Sequence, residues 1–238
     1  MTTTEKTNPN KTARIVGILF IVWWVMLIVG PELINSITGD PDYFINVSAN
    51  ENQVLVGVLL ELIVASVVVG IAVMLFPIFK EHNEALALGY VGFRIFEGVI
   101  YIAGAISALL LLTLSQEYVA GAPDASYFQT LGTVLLAARD WTYMLATYIL
   151  FNLGALMFYY WLYQSKLVPR LLSVWGLVGA TLSLAAGLLA MFGLVALSST
   201  ISFFLVLPIA LNEIVLAVWL IVKGFNSSAI ASESAKTV

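Results

Sequence analysis

Arg94 and Glu97 stand three residues apart inside an apolar run, Glu84 to Gln116, that is long enough to cross a bilayer. An ionised side chain at the centre of a membrane helix costs about 2.5–3.5 kcal/mol on insertion scales. Three residues is a neighbour spacing on one helical face. Continued by helical steps, the stripe reads Tyr90, Arg94, Glu97, Tyr101, Ala105, Ala108. Lipid cannot solvate such a face, so it must look inward at protein or water.

Other polar residues sit at comparable depth. At 1.5 Å per residue, Arg94 is about 15 Å from the start of its run, Glu61 about 14 Å from the start of its own, and Glu213 about 15 Å before Lys223. Asn152 and Asn212 fall at similar levels. All lie near the middle of a core about 30 Å thick. The expected arrangement gathers Glu61, Arg94, Glu97, Tyr101, Asn152, Asn212 and Glu213 into one polar layer that binds a ligand or ion, since charges kept apart would each lack a partner. Arg94 would anchor an anion or act as the internal counter-ion, and the glutamates would exchange protons or cations. Three carboxylates against one guanidinium leave a negative excess. Desolvation and mutual repulsion both favour the neutral carboxyl, so at least one glutamate holds a proton or a bound cation balances the site. Arg139 and Asp140 read as an outer mouth, most simply as an interfacial pair.

The elements that must carry these residues are six apolar spans, an all-α polytopic membrane design. In 238 residues, 61% are hydrophobic and 10% charged, against about 25% charged in soluble domains. Polar tails are expected at 1–11 and 225–238, flanking a transmembrane domain at 12–224. The spans read Thr12–Gly30, ending at Pro31; Gln53–Phe79; Glu84–Gln116; Asp140–Tyr163; Arg170–Leu194; and Thr200–Gly224. Pro31 to Asn52 reads as a long polar loop. Tyr127 to Ala138 forms an amphipathic stripe ahead of the fourth span, either interfacial or part of that helix. Gly176, Ala180, Ser183, Gly187 and Ala190 make a small-residue ridge suited to close helix packing. Tyr159, Tyr160, Trp161 and Tyr163 fit an inner aromatic belt.

Lys6, Lys11, Arg14, Lys80, Lys166, Arg170, Lys223 and Lys236 all fall on one side of this arrangement, and the opposite loops carry only acidic residues. Positive residues stay inside, which makes both termini cytoplasmic. The absence of cysteine excludes disulfides and thiolate sites. A single histidine, His82, in a polar turn leaves no set for zinc or haem. No lysine at membrane depth offers a Schiff-base attachment, and no basic patch points to nucleic acid. No cofactor or metal is expected; the expected partners are the lipid bilayer and a small-molecule or ion ligand, and no feature sets an oligomeric state.

Several stretches carry a resemblance. They are Leu167-Val168-Pro169-Arg170-Leu171-Leu172, the terminal Asn212-Glu213-Ile214-Val215-Leu216-Ala217-Val218-Trp219-Leu220-Ile221-Val222-Lys223-Gly224, Ala13-Arg14-Ile15-Val16-Gly17, and Phe93-Arg94-Ile95-Phe96-Glu97. Together they resemble the bacterial membrane family called domain of unknown function 4386, over roughly residues 12–225. The resemblance implies a fold and a bacterial inner-membrane location, and no activity. Three function classes follow. The first is a polar mid-membrane pocket that binds or transports a small solute, ion or proton. The second is a non-catalytic sensor or assembly partner with a structural ion-pair cluster. The third is an intramembrane enzyme using a carboxyl acid/base pair; no residue is assigned a catalytic role.

Overall fold

A computed structural model describes residues 8–121, 125–226 and 228–229. Among them the fold is helical, with no strand. The helices are α1 (Pro9–Thr38), α2 (Tyr43–Ala49), α3 (Glu51–Phe79), α4 (Glu84–Val119), α5 (Ala125–Met144), a π-helical turn (Leu145–Leu150), α6 (Phe151–Ser165), α7 (Arg170–Met191) and α8 (Thr200–Val222). α5, the π turn and α6 run on as one 40-residue helix, Ser126–Ser165, and with it six helices are long and apolar enough to cross a membrane. That is the makeup of a multi-pass membrane protein.

Helix starts follow from local chemistry. Asn8 Oδ1 accepts from the backbone N–H groups of Asn10 and Lys11 at 3.1 and 3.3 Å, and Pro9 takes the first helical position, where its missing N–H costs nothing. The expected tail at 1–11 therefore gives way to helix at Pro9; residues 1–7 lie outside the described part. Ser199 opens α8 by accepting from Ser202 N–H at 3.2 Å.

Two boundaries depart from the sequence reading. The first helix does not end at Pro31 but passes through it to Thr38, and the loop beyond contains α2. Proline removes one backbone donor but leaves the rest of the ladder intact. Tyr43, Phe44 and Val47 of α2 bury one face against a cluster that includes Ile34, Val54, Val58, Ala108 and Leu111. A side chain at Gly132 would collide with the Tyr43 hydroxyl and the Phe44 ring, so the glycine admits α2. The second departure is the fourth span. It does not break between Ala138 and Arg139; the irregularity is the π turn, six residues further on.

The chain forms two compact units. One takes the described residues up to Val22, Val69–Ile95 and those from Tyr148 on; the other takes Trp23–Val68 and Phe96–Thr147. In the first unit α7 packs against α6 and α8, and glycines set the closeness. A Cβ at Gly176 would overlap the Tyr159 ring, and one at Gly179 would sit 2.8 Å from the Ile209 nitrogen. Phe79, Tyr90, Phe158 and Trp161 stack as an aromatic core, with Phe79 and Trp161 ring centroids 4.0 Å apart. Tyr159 and Trp161 are thus core residues and only Tyr160 and Tyr163 are exposed; helical rotation of about 100° per residue forbids a common orientation for all four. Phe225, expected in a polar tail, is buried against Trp161.

Candidate functional site

In the unit built from Trp23–Val68 and Phe96–Thr147, Glu61 of α3 meets Arg139 of α5. Arg139 Nη1 donates to Glu61 Oε2 at 3.1 Å, and Nη2 donates to Oε1. Both side chains are 8% exposed. The planar guanidinium matches the carboxylate bidentately, a fit that lysine does not offer. Arg139 is thus buried against Glu61, while its neighbour Asp140, on which its charge also acts, is exposed. Gly30 brings α1 close to α3 here, for a Cβ on it would lie 3.3 Å from the Gly57 carbonyl oxygen. Tyr101 of α4, also buried, shares a hydrogen bond of 2.9 Å with Thr147 in the π turn. Glu97 is wholly buried on α4.

In the other unit, Arg94 of α4 is buried between aromatic faces, its guanidinium carbon 5.4 Å from the Tyr90 ring centre and 5.0 Å from that of Phe151. Cation–π attraction strengthens when the cation is desolvated. Gly154 of α6 packs beside this side chain, and a Cβ there would meet Arg94 Nε at an ordinary contact distance of 3.8 Å. Glu213 of α8 is buried as well, and the charges of Glu213 and Arg94 both act on the buried Tyr159 hydroxyl. Arg94, Tyr159 and Glu213 thus converge from α4, α6 and α8.

Two asparagines complete this unit's polar interior. Asn152 Nδ2 donates to Ser183 Oγ at 2.9 Å and to the Tyr148 carbonyl at 2.8 Å. Asn212 Nδ2 donates to the Leu172 carbonyl at 3.0 Å. Each amide ties a neighbouring helix to α7. Their Oδ1 atoms, with Ser173 Oγ and the Tyr159 hydroxyl, are buried and make no hydrogen bond to the described residues. A buried polar atom left without a partner costs about 1–3 kcal/mol.

Sequence reasoning found the ionisable residues and missed their company. Tyr159 was legible as a core position, because Asn152, Ala155 and Tyr159 repeat at helical spacing. Ser183 was legible only as a packing residue. The Glu61–Arg139 pair carried no signal, since α3 and α5 are distant in the chain. Among the described residues no group of three or more His, Cys, Asp or Glu is placed to hold a metal ion.

Comparison with curated proteins and with solved structures finds no match. A family model described as "Domain of unknown function (DUF4386)" matches residues 15–224. That span takes in all six membrane-length helices almost entirely, together with Glu61, Arg94, Glu97, Arg139 and Glu213, and the chain belongs to this family.

Proposed function

We propose that this is a multi-pass protein of a bacterial inner membrane with both termini cytoplasmic, and that its buried polar residues bind or pass a proton, an ion or a small solute near the middle of the membrane. One observation carries this reading. Among the described residues five acidic or basic side chains are buried within the spans: Glu61, Glu97, Glu213, Arg94 and Arg139. Glu61 and Arg139 neutralise each other, and the five formal charges sum to one negative in excess. A low-dielectric interior does not tolerate a net charge. A proton on one carboxyl, or a bound cation, restores neutrality, and either is an exchangeable guest. In one unit Arg94 is the fixed counter-ion and Glu213 the exchanging group, with Asn152, Asn212 and Tyr159 as neutral polar contacts; in the other Glu97 is the exchanging group and Tyr101 the neutral polar contact.

The test combines infrared spectroscopy with flux. Purified protein in lipid shows one protonated-carboxyl C=O band that disappears in Glu97→Gln or in Glu213→Gln. The same substitution abolishes proton or cation flux into proteoliposomes, while Lys80→Gln leaves it unchanged. Two ionised carboxylates, no bound cation and no flux in a folded protein would sink the proposal. A second reading, a membrane sensor or assembly partner held by structural ion pairs, is favoured by the bidentate closure of Glu61 on Arg139; in that case binding is absent and the substitutions alter stability alone.

A further inference from the structure

A second site lies where α7 begins and α8 ends. A cleft of about 500 Å³ opens there, lined by Lys166, Arg170 and Lys223 and by no acidic residue. Its walls are pinned by backbone contacts. Asn226 N–H donates to the Leu167 carbonyl at 2.8 Å, and Phe225 N–H donates to Asn10 Oδ1 at 3.0 Å. Gly224 makes the turn between them at φ +70°, a conformation open to glycine, and packs on Asn10. Lys166 also holds a left-handed conformation, at φ 58°. Arg170 lies over the Tyr163 ring at 5.2 Å, which restrains its guanidinium without neutralising it. The amino end of α7 and the carboxyl ends of α6 and α8 meet at the cleft, so their partial charges oppose one another and the side-chain cations set its sign.

Three cations and no acidic residue in the lining make a receptor for phosphate chemistry. The surroundings decide which phosphate. Arg170 and Val222 are the terminal residues of two membrane-length helices, so the cleft sits at the level where lipid headgroups lie. Its remaining lining is mostly apolar, with Leu167, Trp219 and Phe225 beside Asn226. Beside it Leu171 is 79% exposed and Val222 63% exposed, an apolar surface along which acyl chains can run while the headgroup occupies the cleft. We infer that Lys166, Arg170 and Lys223 form a binding site for the phosphodiester headgroup of an anionic phospholipid. Basic pockets between membrane helices recognise such headgroups by this combination of charge and depth.

The experiment is native mass spectrometry of the detergent-purified full chain, titrated with phosphatidylglycerol or with phosphatidylcholine. Retained phosphatidylglycerol adducts, in preference to phosphatidylcholine, are expected. Each of Lys166→Gln, Arg170→Gln and Lys223→Gln weakens that binding about fivefold, and the effects compound in the triple variant. Lys80→Gln, at another helix end, leaves it unchanged. The single variants keep the test decisive if the triple variant does not fold. Equal retention of both lipids, or a loss produced equally by Lys80→Gln, overturns the proposal. So does displacement of the lipid by millimolar inorganic phosphate, which would assign the cleft to a soluble anion.

Discussion

At the scale of single residues, the buried charges differ in what each can do when its partner is removed. Glu61 and Arg139 are both desolvated, and breaking a buried pair by deleting one member costs about 3–5 kcal/mol. The two halves are not equivalent. Glutamate stripped of its partner can neutralise itself by taking up a proton, whereas a guanidinium stays charged. Glu61→Leu is therefore the more damaging change, Arg139→Met the milder one, and the double variant regains much of the loss because no uncompensated charge remains. Thermal unfolding in detergent micelles checks this cycle. Losses that simply add would mean that the contact contributes nothing specific. Arg94 is held in another way, between the Tyr90 and Phe151 rings, and as a guanidinium it keeps its charge when buried.

At the scale of elements, the π turn at Leu145–Leu150 decides how the fourth span presents its residues. A π turn closes from residue i to i+5, one residue more than an α turn, and so rotates all that follows by about 100°. The side chain of Asn152 supplies the Tyr148 carbonyl with a donor, and Thr147 is fixed to Tyr101. Together these brace a turn whose ordinary α-helical bonds are displaced. Deleting Leu150 is accordingly expected to convert the turn to α-helix while leaving both flanks in register, so the variant folds and keeps the Asn152–Ser183 bond. Deleting Met157, inside regular α6, rotates Tyr159 and Trp161 out of the aromatic core and prevents folding. Expression with fluorescence-detected size-exclusion chromatography separates the two. Equal damage from both deletions would show that the turn absorbs no register change. The sequence Leu-Ala-Thr-Tyr-Ile-Leu contains neither proline nor glycine, so nothing in it marks the irregularity; the residues leave open only whether Tyr127–Ala138 is interfacial or part of this helix, and it is part of the helix.

At the scale of the whole molecule, the proposed orientation rests on the sidedness of lysine and arginine. A chain without cysteine makes the check clean. Single cysteines at Asp40 and Glu117 should react in intact cells with a membrane-impermeant maleimide, and those at Glu81 and Ala229 only after lysis. The reverse pattern would invert the topology and move the basic cleft at Lys166, Arg170 and Lys223 to the opposite leaflet. The two compact units divide the polar interior as well. The Glu61–Arg139 closure and the Arg94–Tyr159–Glu213 convergence belong to different units, and the first is a neutral pair while the second joins a cation, an acid and a phenol.

The all-helical class, the six membrane-length helices and four of the buried ionisable residues, Glu61, Arg94, Glu97 and Glu213, were legible in the chain alone, whereas Arg139 read as interfacial. Each of these is a local property: apolar length against bilayer thickness, and the cost of charge in lipid, are both read one segment at a time. The ridge of small residues on α7 was legible for the same reason. Which charge meets which was settled only by tertiary structure. Glu61 and Arg139 are joined across 78 positions, and no periodicity within either helix encodes the other's approach. The helical course through Pro31, the burial of α2 under Gly132 and the seating of Phe225 on Trp161 likewise depend on surfaces that distant segments bring together. Partners are a property of packing, while the need for a partner is written in the residue itself.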